Sequence, residues 1–230
     1  MRILAIDTST SMATVAIAVD GEIVAETLFN ADRTLSVRLI PETMRCVAQA
    51  GLELDQIDLF ASSVGPGSFT GVRGGVATIQ GLALATGKPC VGFSSLMLLA
   101  MNFSLSSLPV CPLLDARKSE VYAALYDCSG VIPVSRVSDC VVPPAVLLDT
   151  IYSVTEQKII FTGEGAHRYR ETIIEKMGER AVFAEFPLRS ARAAHGTLLA
   201  QFAFHRGETL EPAQLLPVYL RASEAELNRK

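Results

Sequence analysis

The sequence has few of the residue patterns from which metal sites and nucleophilic active sites are built. Its 230 residues include three histidines that stand far apart, and the patterns H-E-x-x-H, H-x-x-x-H and G-x-S-x-G do not occur. A nucleophile with a nearby base is not recognisable in the sequence. The sequence therefore favours neither a zinc hydrolase nor a serine hydrolase.

Clustered positive charge is also missing. The formal net charge is −4 and the sequence pI is about 5.5. Affinity for a phosphate backbone comes largely from clustered Lys and Arg. We therefore do not expect a chain of this charge to bind RNA strongly by itself. If RNA is involved in the function, we expect another chain to carry most of the contact.

Cysteine pairs and long hydrophobic runs are missing as well. Five scattered cysteines without a C-x-x-C pair indicate reduced thiols in a cytoplasmic protein. They are Cys46, Cys90, Cys111, Cys128 and Cys140. The unbroken apolar stretch before Asp7 has only four residues, too few for the core of a signal peptide. Prolines and serines interrupt the charge-free run Pro89–Leu114, so we expect buried core there and no membrane span.

The residues that are present predict an α/β protein with two lobes. The first lobe, residues 1–105, is predicted to have the order strand, strand, strand, helix, strand, helix, strand, which is that of a ribonuclease-H-like lobe. Its helices are expected over 36–50, with Pro41 inside, and over Phe69–Thr86. Residues 106–230 are expected to form a reduced second lobe with helices near Pro144–Tyr152 and Ala166–Met177. Its last helix (about 191–207) is expected to pack back on the first lobe.

Two short segments are candidates for a phosphate site. Asp7, Thr8 and Ser9 end a buried strand, where backbone amides and an acid can hold a phosphate or a cation. Gly65, Gly67 and Ser68 precede a helix, and a helix N-terminus behind glycines can bind an anion. An ordinary turn that closes a hairpin is the better explanation of the first segment, and a tight strand-to-helix turn explains the second equally well. The second is not a Walker A loop, because it lacks G-x-x-x-x-G-K-[ST].

Two predicted helices carry more apolar residues than one buried face requires. Glycine costs about 1 kcal/mol in a helix relative to alanine, so glycines spaced by four in the second helix favour close approach of another backbone. We predict that both helices form a subunit interface, although the second lobe of the same chain could also cover them. The predicted interface residues are Val37, Ile40, Met44, Val47, Val72, Gly75, Val76, Ile79 and Ala83.

Four segments in a fixed order resemble one known family. They are LAIDTST, VGPGSFTGVRGGVATIQGLA, LLDARKSEVY and PVYLR. On these segments the chain resembles the TsaB (YeaZ) family, over nearly its whole length and most strongly over residues 1–101. The resemblance implies the fold of the actin/sugar-kinase/Hsp70 superfamily. Many members of the family have a histidine where this chain has Leu35.

TsaB is a shortened relative of TsaD, the metal-dependent enzyme that transfers a threonylcarbamoyl group to adenosine 37 of tRNA. Where TsaD carries a histidine pair, this chain has Ser95 and Leu99, and where TsaD has a glycine-rich phosphate turn, it has residues 116–119, Ala-Arg-Lys-Ser. The resemblance therefore implies an inactive paralogue without a metal or cofactor. It also implies TsaD and TsaE homologues as partners, a homodimer when alone, and contact with tRNA only through the complex.

Three other functions remain open at this point. A small actin-like or sugar-kinase-like phosphotransferase would use Asp7 and the loop 65–68, but the turn Arg117-Lys118 is unsuited to a second phosphate. We expect that turn to be the charged tip of a hairpin. A peptidase is disfavoured because no catalytic constellation is recognisable. A dimeric interaction module outside tRNA modification is the third alternative.

The replacement of the histidine pair gives a first testable prediction. Neither Ser95 nor Leu99 offers an imidazole, so the purified protein should retain no stoichiometric transition metal after a chelator wash. Elemental analysis of the washed protein measures this directly. About one iron or zinc per chain would contradict the inference that the chain is an inactive paralogue.

Overall fold

The computed structural model describes residues 1–221, and the chain divides into two compact units. The first unit consists of Met1–Leu98 together with Ala191–Pro217, and the second of Leu99–Ser190 together with residues 218–221. The sequence placed the boundary after residue 105, whereas the first unit ends at Leu98 and takes up a later segment. Residues 222–230, which the prediction assigned to the second lobe, lie outside the described residues.

The first unit contains a five-stranded mixed sheet of order β3-β2-β1-β4-β5. Its strands are β1 (Arg2–Asp7), β2 (Met12–Val19), β3 (Glu22–Asn30), β4 (Leu59–Gly65) and β5 (Cys90–Ser94). The first three are antiparallel, and β4 and β5 run parallel to β1. Asp20 and Gly21 connect β2 to β3 with positive φ angles of 50° and 88°, as a tight hairpin turn requires.

Two helices pack on one face of this sheet. They are α1 (Leu35–Gln49), which runs through Pro41, and α2 (Phe69–Thr86). The predicted bounds of α2 are confirmed: Ser68 caps its first turn, and Gly87 ends it with a left-handed φ of 66°. Leu4 and Ile6 point from β1 into the same hydrophobic cluster as Val76 of α2.

The second unit repeats the order of the first sheet. Its strands are β6 (Val110–Asp115), β7 (Val121–Asp127), β8 (Val134–Val142), β9 (Ile159–Thr162) and β10 (Ala181–Phe183). The sheet order is β10-β9-β6-β7-β8, again with three antiparallel strands followed by two that are parallel to the first. Both units are therefore ribonuclease-H-like, and the parallel edge strand is shorter in the second, three residues in β10 against five in β5.

The remaining helices follow the prediction in part. They are α3 (Ser95–Ala100), α4 (Pro144–Val154), α5 (Glu164–Arg168), α6 (Arg170–Met177) and α7 (Ala193–His205). Short 3-10 helices cover Leu54–Gln56, Met101–Phe103, Gly178–Arg180 and Pro212–Gln214. The single helix predicted over Ala166–Met177 is wrong, because Tyr169 separates α5 from α6. No helix within residues 1–221 is long and apolar enough to cross a membrane.

The last helix, α7, belongs to the first unit and packs on β1, β2, β4 and β5. Gly196 lets it approach the sheet closely, since a Cβ built there would lie 2.7 Å from the Phe93 ring and 3.3 Å from the Ala5 Cβ. Ala5 alternates with Leu4 and Ile6 along β1, so α7 covers the face opposite α1 and α2. An ion pair between Arg192 and Glu26 of β3 fixes the start of α7.

Candidate functional site

The two predicted phosphate segments lie against each other at the carboxyl ends of β1 and β4. The Ser68 amide donates a hydrogen bond to the Ser9 carbonyl oxygen at 2.8 Å. The Thr8 hydroxyl donates to the Gly71 carbonyl oxygen in the first turn of α2 at 2.7 Å. The structure therefore brings together the β1–β2 turn and the N-terminus of α2, as the sheet topology requires.

The contact between this turn and α2 is a contact of backbone on backbone. A Cβ built at Gly71 would lie 2.0 Å from the Thr8 carbonyl oxygen, and one at Gly67 would lie 2.4 Å from the Ser9 carbonyl oxygen. A Cβ at Gly75 would lie 2.4 Å from the Thr8 hydroxyl oxygen. The glycines spaced by four are thus explained within one lobe, and no space for a phosphate remains between the turn and the helix.

The carboxyl group of Asp7 is fully buried at this contact. Its Oδ1 atom accepts hydrogen bonds from the Ser63 hydroxyl and, at 3.2 Å, from the Ser9 amide. Among the described residues no partner reaches its Oδ2 atom or the Ser9 hydroxyl. Burial raises the pKa of Asp7 above its ordinary value, although the hydrogen bonds act in the opposite direction. This carboxyl is therefore poorly placed to hold a cation by its charge.

Six of the nine predicted interface residues are not on the surface, so that part of the prediction is wrong. Their side chains or backbone are buried in the lobe's own core, because this stripe of α1 and α2 faces the sheet. The six are Val47, Val72, Gly75, Val76, Ile79 and Ala83. The apolar surplus was recognised correctly, but the stripe chosen on α2 faces the sheet and not the outside.

The other three residues are exposed along one side of α1. The exposed fractions are 69% for Val37, 55% for Ile40 and 40% for Met44. Leu84 of α2, which the sequence reasoning missed, is 74% exposed.

We call the outward surface of these helices the α1–α2 face. It consists of Val37, Ile40, Pro41, Met44 and Ala48 from α1, and Ala77, Gly81, Leu84 and Ala85 from α2.

The two helices of this face are in direct contact. A Cβ built at Gly74 would lie 3.3 Å from Leu35 Cδ2, so Leu35 packs on the bare backbone of α2. Arg38 donates to Glu42, and Arg45 forms a second ion pair with the same carboxylate at 2.7 Å. The face therefore has an apolar centre with arginines along its border.

The β6–β7 turn of the second unit corresponds to the β1–β2 turn of the first, but it is charged and open. Arg117, Lys118 and Ser119 have left-handed φ angles of 62°, 51° and 59°. This conformation costs roughly 1–2 kcal/mol per non-glycine residue. The hairpin tip predicted here is confirmed. Asp115, at the end of β6, binds Arg168 at 2.9 Å.

Comparison with known proteins decides the family. The family model TsaD, described as tRNA N6-adenosine threonylcarbamoyltransferase, matches residues 22–229. The tRNA threonylcarbamoyladenosine biosynthesis protein TsaB of Bacillus subtilis (strain 168) is 29% identical over 229 residues, 98% of this chain and 96% of that protein. The crystal structure of an uncharacterized Pseudomonas aeruginosa protein, described as similar to the peptidase YEAZ, aligns with a TM-score of 0.82. It is 31% identical and the alignment covers 96% of this chain and 99% of that one.

The chain belongs to the TsaB (YeaZ) family.

The wider fold of this TsaB-family chain is that of the actin-like sugar kinases. The crystal structure of the ROK hexokinase from Thermus thermophilus aligns with a TM-score of 0.53 at 12% identity, over 90% of this chain and all of that one. An identity this low shows a shared fold only. The activity of the hexokinase is not transferred to this chain by it.

The two positions that replace the TsaD histidines are both in α3 of this TsaB-family chain. Ser95 is buried, and its hydroxyl donates a hydrogen bond to the Pro66 carbonyl oxygen. Leu99 is buried as well. Within residues 1–221 no group of three or more His, Cys, Asp or Glu side chains is placed to hold a metal ion. Ser95 therefore holds the loop before α2 by a hydrogen bond.

The contact between the β1–β2 turn and α2 predicts that substitutions at two glycines of this helix change the free energy of unfolding in opposite directions. Gly71→Ala forces the α2 backbone away from Thr8 and should lower the free energy of unfolding by at least about 2 kcal/mol. Gly81→Ala meets no atom within 4 Å and should raise it by roughly 0.5–1 kcal/mol. Urea unfolding at low protein concentration measures both. Equal effects of the two substitutions would contradict the contact.

Asp7 predicts a particular pH dependence of stability. Its folded pKa is raised, so the folded state holds a proton that the unfolded chain releases near pH 4. The contribution of Asp7 to the free energy of unfolding is therefore largest below about pH 4, falls as pH rises to the folded pKa, and is then constant. Asp7→Asn should gain stability relative to the natural protein across this window. Urea unfolding from pH 4 to pH 8 checks it, and a difference that shrinks with pH would contradict the burial argument.

Proposed function

We propose that this chain is a non-catalytic scaffold subunit in tRNA threonylcarbamoyladenosine biosynthesis. It binds and stabilises a TsaD homologue and, together with a TsaE homologue, supports the transfer of the threonylcarbamoyl group to adenosine 37 of tRNA. The Bacillus subtilis relative, named as a biosynthesis protein of this nucleoside, supports the assignment to the pathway. Contact with tRNA is made through the complex, and the protein works in the cytoplasm.

The α1–α2 face is the observation that carries the scaffold proposal. Four large apolar side chains, Val37, Ile40, Met44 and Leu84, are between 40% and 74% exposed on two helices that touch. Contiguous exposed apolar patches are rare on monomers unless they bind something. The small residues Ala77 and Gly81 on the exposed side of α2 leave room for a partner helix to approach closely.

The charge of this face favours a different chain over a second copy. The helices α1 and α2 carry Arg38, Arg45 and Arg73 but only one acid, Glu42, which is buried and bound to two of the arginines. In a symmetric homodimer the arginine borders of two copies approach each other, and like charges weaken the pairing. A TsaD homologue with an acidic border forms the more stable pair on the same surface.

The closed turn at Asp7 supports the non-catalytic part of the proposal. A phosphotransferase of this fold would need open space between the β1–β2 turn and α2, where this chain has backbone contact through Gly67 and Gly71. Ser95 and Leu99 are also buried, and neither can serve as an imidazole ligand. We therefore infer that the catalytic groups and the metal belong to the TsaD homologue.

Substitution on the α1–α2 face tests the pairing surface. Ile40→Glu and Val37→Glu place a charge at the apolar centre, and each should weaken binding to the TsaD homologue at least about tenfold, because burying an unpaired charge is costly. Stability of the isolated protein should change by less than about 0.5 kcal/mol, since both side chains are exposed. Val134→Glu is the matched control, as Val134 is 66% exposed in the second unit. If sedimentation shows that both variants of the α1–α2 face bind the TsaD homologue normally, the interface lies elsewhere.

A transfer assay with the TsaD and TsaE homologues separates scaffold from catalyst. With a scaffold, activity follows the amount of complex, so an excess of the Ile40→Glu variant should restore it. Asp7→Asn, which replaces a carboxyl with a neutral group of the same shape, should support full transfer at saturation. An Asp7→Asn protein that assembles normally and stays inactive at saturation would restore the phosphotransferase alternative.

A further inference from the structure

Two of the segments that mark the family meet in the second unit. Arg221, the arginine of PVYLR, donates a hydrogen bond from Nη1 to the Ala116 carbonyl oxygen at 2.8 Å. The same guanidinium forms an ion pair with Glu120. Ala116 and Glu120 are the two ends of the β6–β7 turn in LLDARKSEVY, so one side chain from the end of the described chain binds both sides of that turn.

The turn that Arg221 binds has an unfavourable backbone conformation. Arg117, Lys118 and Ser119 are three successive non-glycine residues in the left-handed region, and Arg117 is 84% exposed at its side chain. Such residues persist where surrounding contacts hold them. The turn closes on itself through hydrogen bonds of 3.0 Å from the Ala116 amide to the Glu120 carbonyl oxygen and from the Glu120 amide to the Arg117 carbonyl oxygen.

We infer that Arg221 is a positioning residue that locks the β6–β7 turn in its left-handed conformation. The planar guanidinium binds a carbonyl oxygen on one side of the turn and a carboxylate on the other, which a single ammonium group cannot do with the same geometry. The segment PVYLR thereby gains a role that is independent of the α1–α2 face. Without Arg221 the turn relaxes toward right-handed and extended conformations and becomes mobile.

Limited proteolysis with trypsin reports on this turn directly. Trypsin cleaves after Arg117 and Lys118, and it needs a flexible segment of several residues, which a locked turn does not offer. Arg221→Ala should raise the cleavage rate at these two bonds at least about tenfold, well below the unfolding temperature, and Arg221→Lys should give an intermediate rate. Arg206→Ala is the matched control, because Arg206 pairs with Glu208 at 2.7 Å on the surface of the first unit.

A second substitution separates locking from general stabilisation. Ser119→Gly removes part of the cost of the left-handed backbone, so in this background Arg221→Ala should raise the cleavage rate much less. That non-additivity is the result expected of a lock. The inference is overturned if Arg221→Ala is cleaved at the turn no faster than Arg206→Ala. It is also overturned if cleavage rises at many sites together, in step with a lower unfolding temperature.

Discussion

The structure of the first lobe depends on a contact between two stretches of backbone. One side of α2 and of the loop before it carries no side chains, because Gly67, Gly71 and Gly75 stand there. The turn Asp7–Ser9 lies directly against that side. The contact fixes the rotation of α2 about its axis: Val72, Val76 and Ile79 point to the sheet, and Ala77 and Leu84 point away from it. The position of the α1–α2 face, and with it the proposed scaffold function, follows from where these glycines stand.

Much of the first lobe could be predicted from sequence, and less of the second. Local signals in the sequence mark the elements of the first lobe: Ser68 and Gly87 stand at the two ends of α2, and Asp20-Gly21 is a hairpin signal between β2 and β3. The strands β8, β9 and β10 were missed, since two of them are short and β8 lies at a sheet edge with mixed burial. At the candidate site, the glycine spacing indicated close backbone approach but not which backbone. Val76 was therefore assigned to the outward side of α2, and the exposed Leu84 was missed.

The two lobes share one strand order, but the turn after the first strand has a different role in each. Glycines again allow a helix to start beside a strand in the second unit, where a Cβ built at Gly163 would lie 2.4 Å from the Leu113 carbonyl oxygen. The turns after the first strands differ, however. The first lobe buries Asp7 beneath a helix, whereas the second presents Arg117 to solvent on a strained backbone. The turn after the first strand is thus a packing contact in one lobe and an exposed charged tip in the other.

The return of α7 to the first lobe sets an order on folding during synthesis. The second unit is built mainly from the continuous stretch Leu99–Ser190, whereas the first needs residues from both sides of it. Until His205 has left the ribosome, the side of the first sheet that carries Ala5 and Phe93 has no helix to cover it. Domains generally fold as units as they emerge, and exposed apolar sheets are prone to aggregate. The growing chain therefore holds an unfinished first lobe throughout the synthesis of the second, with one face of its sheet not yet covered by α7.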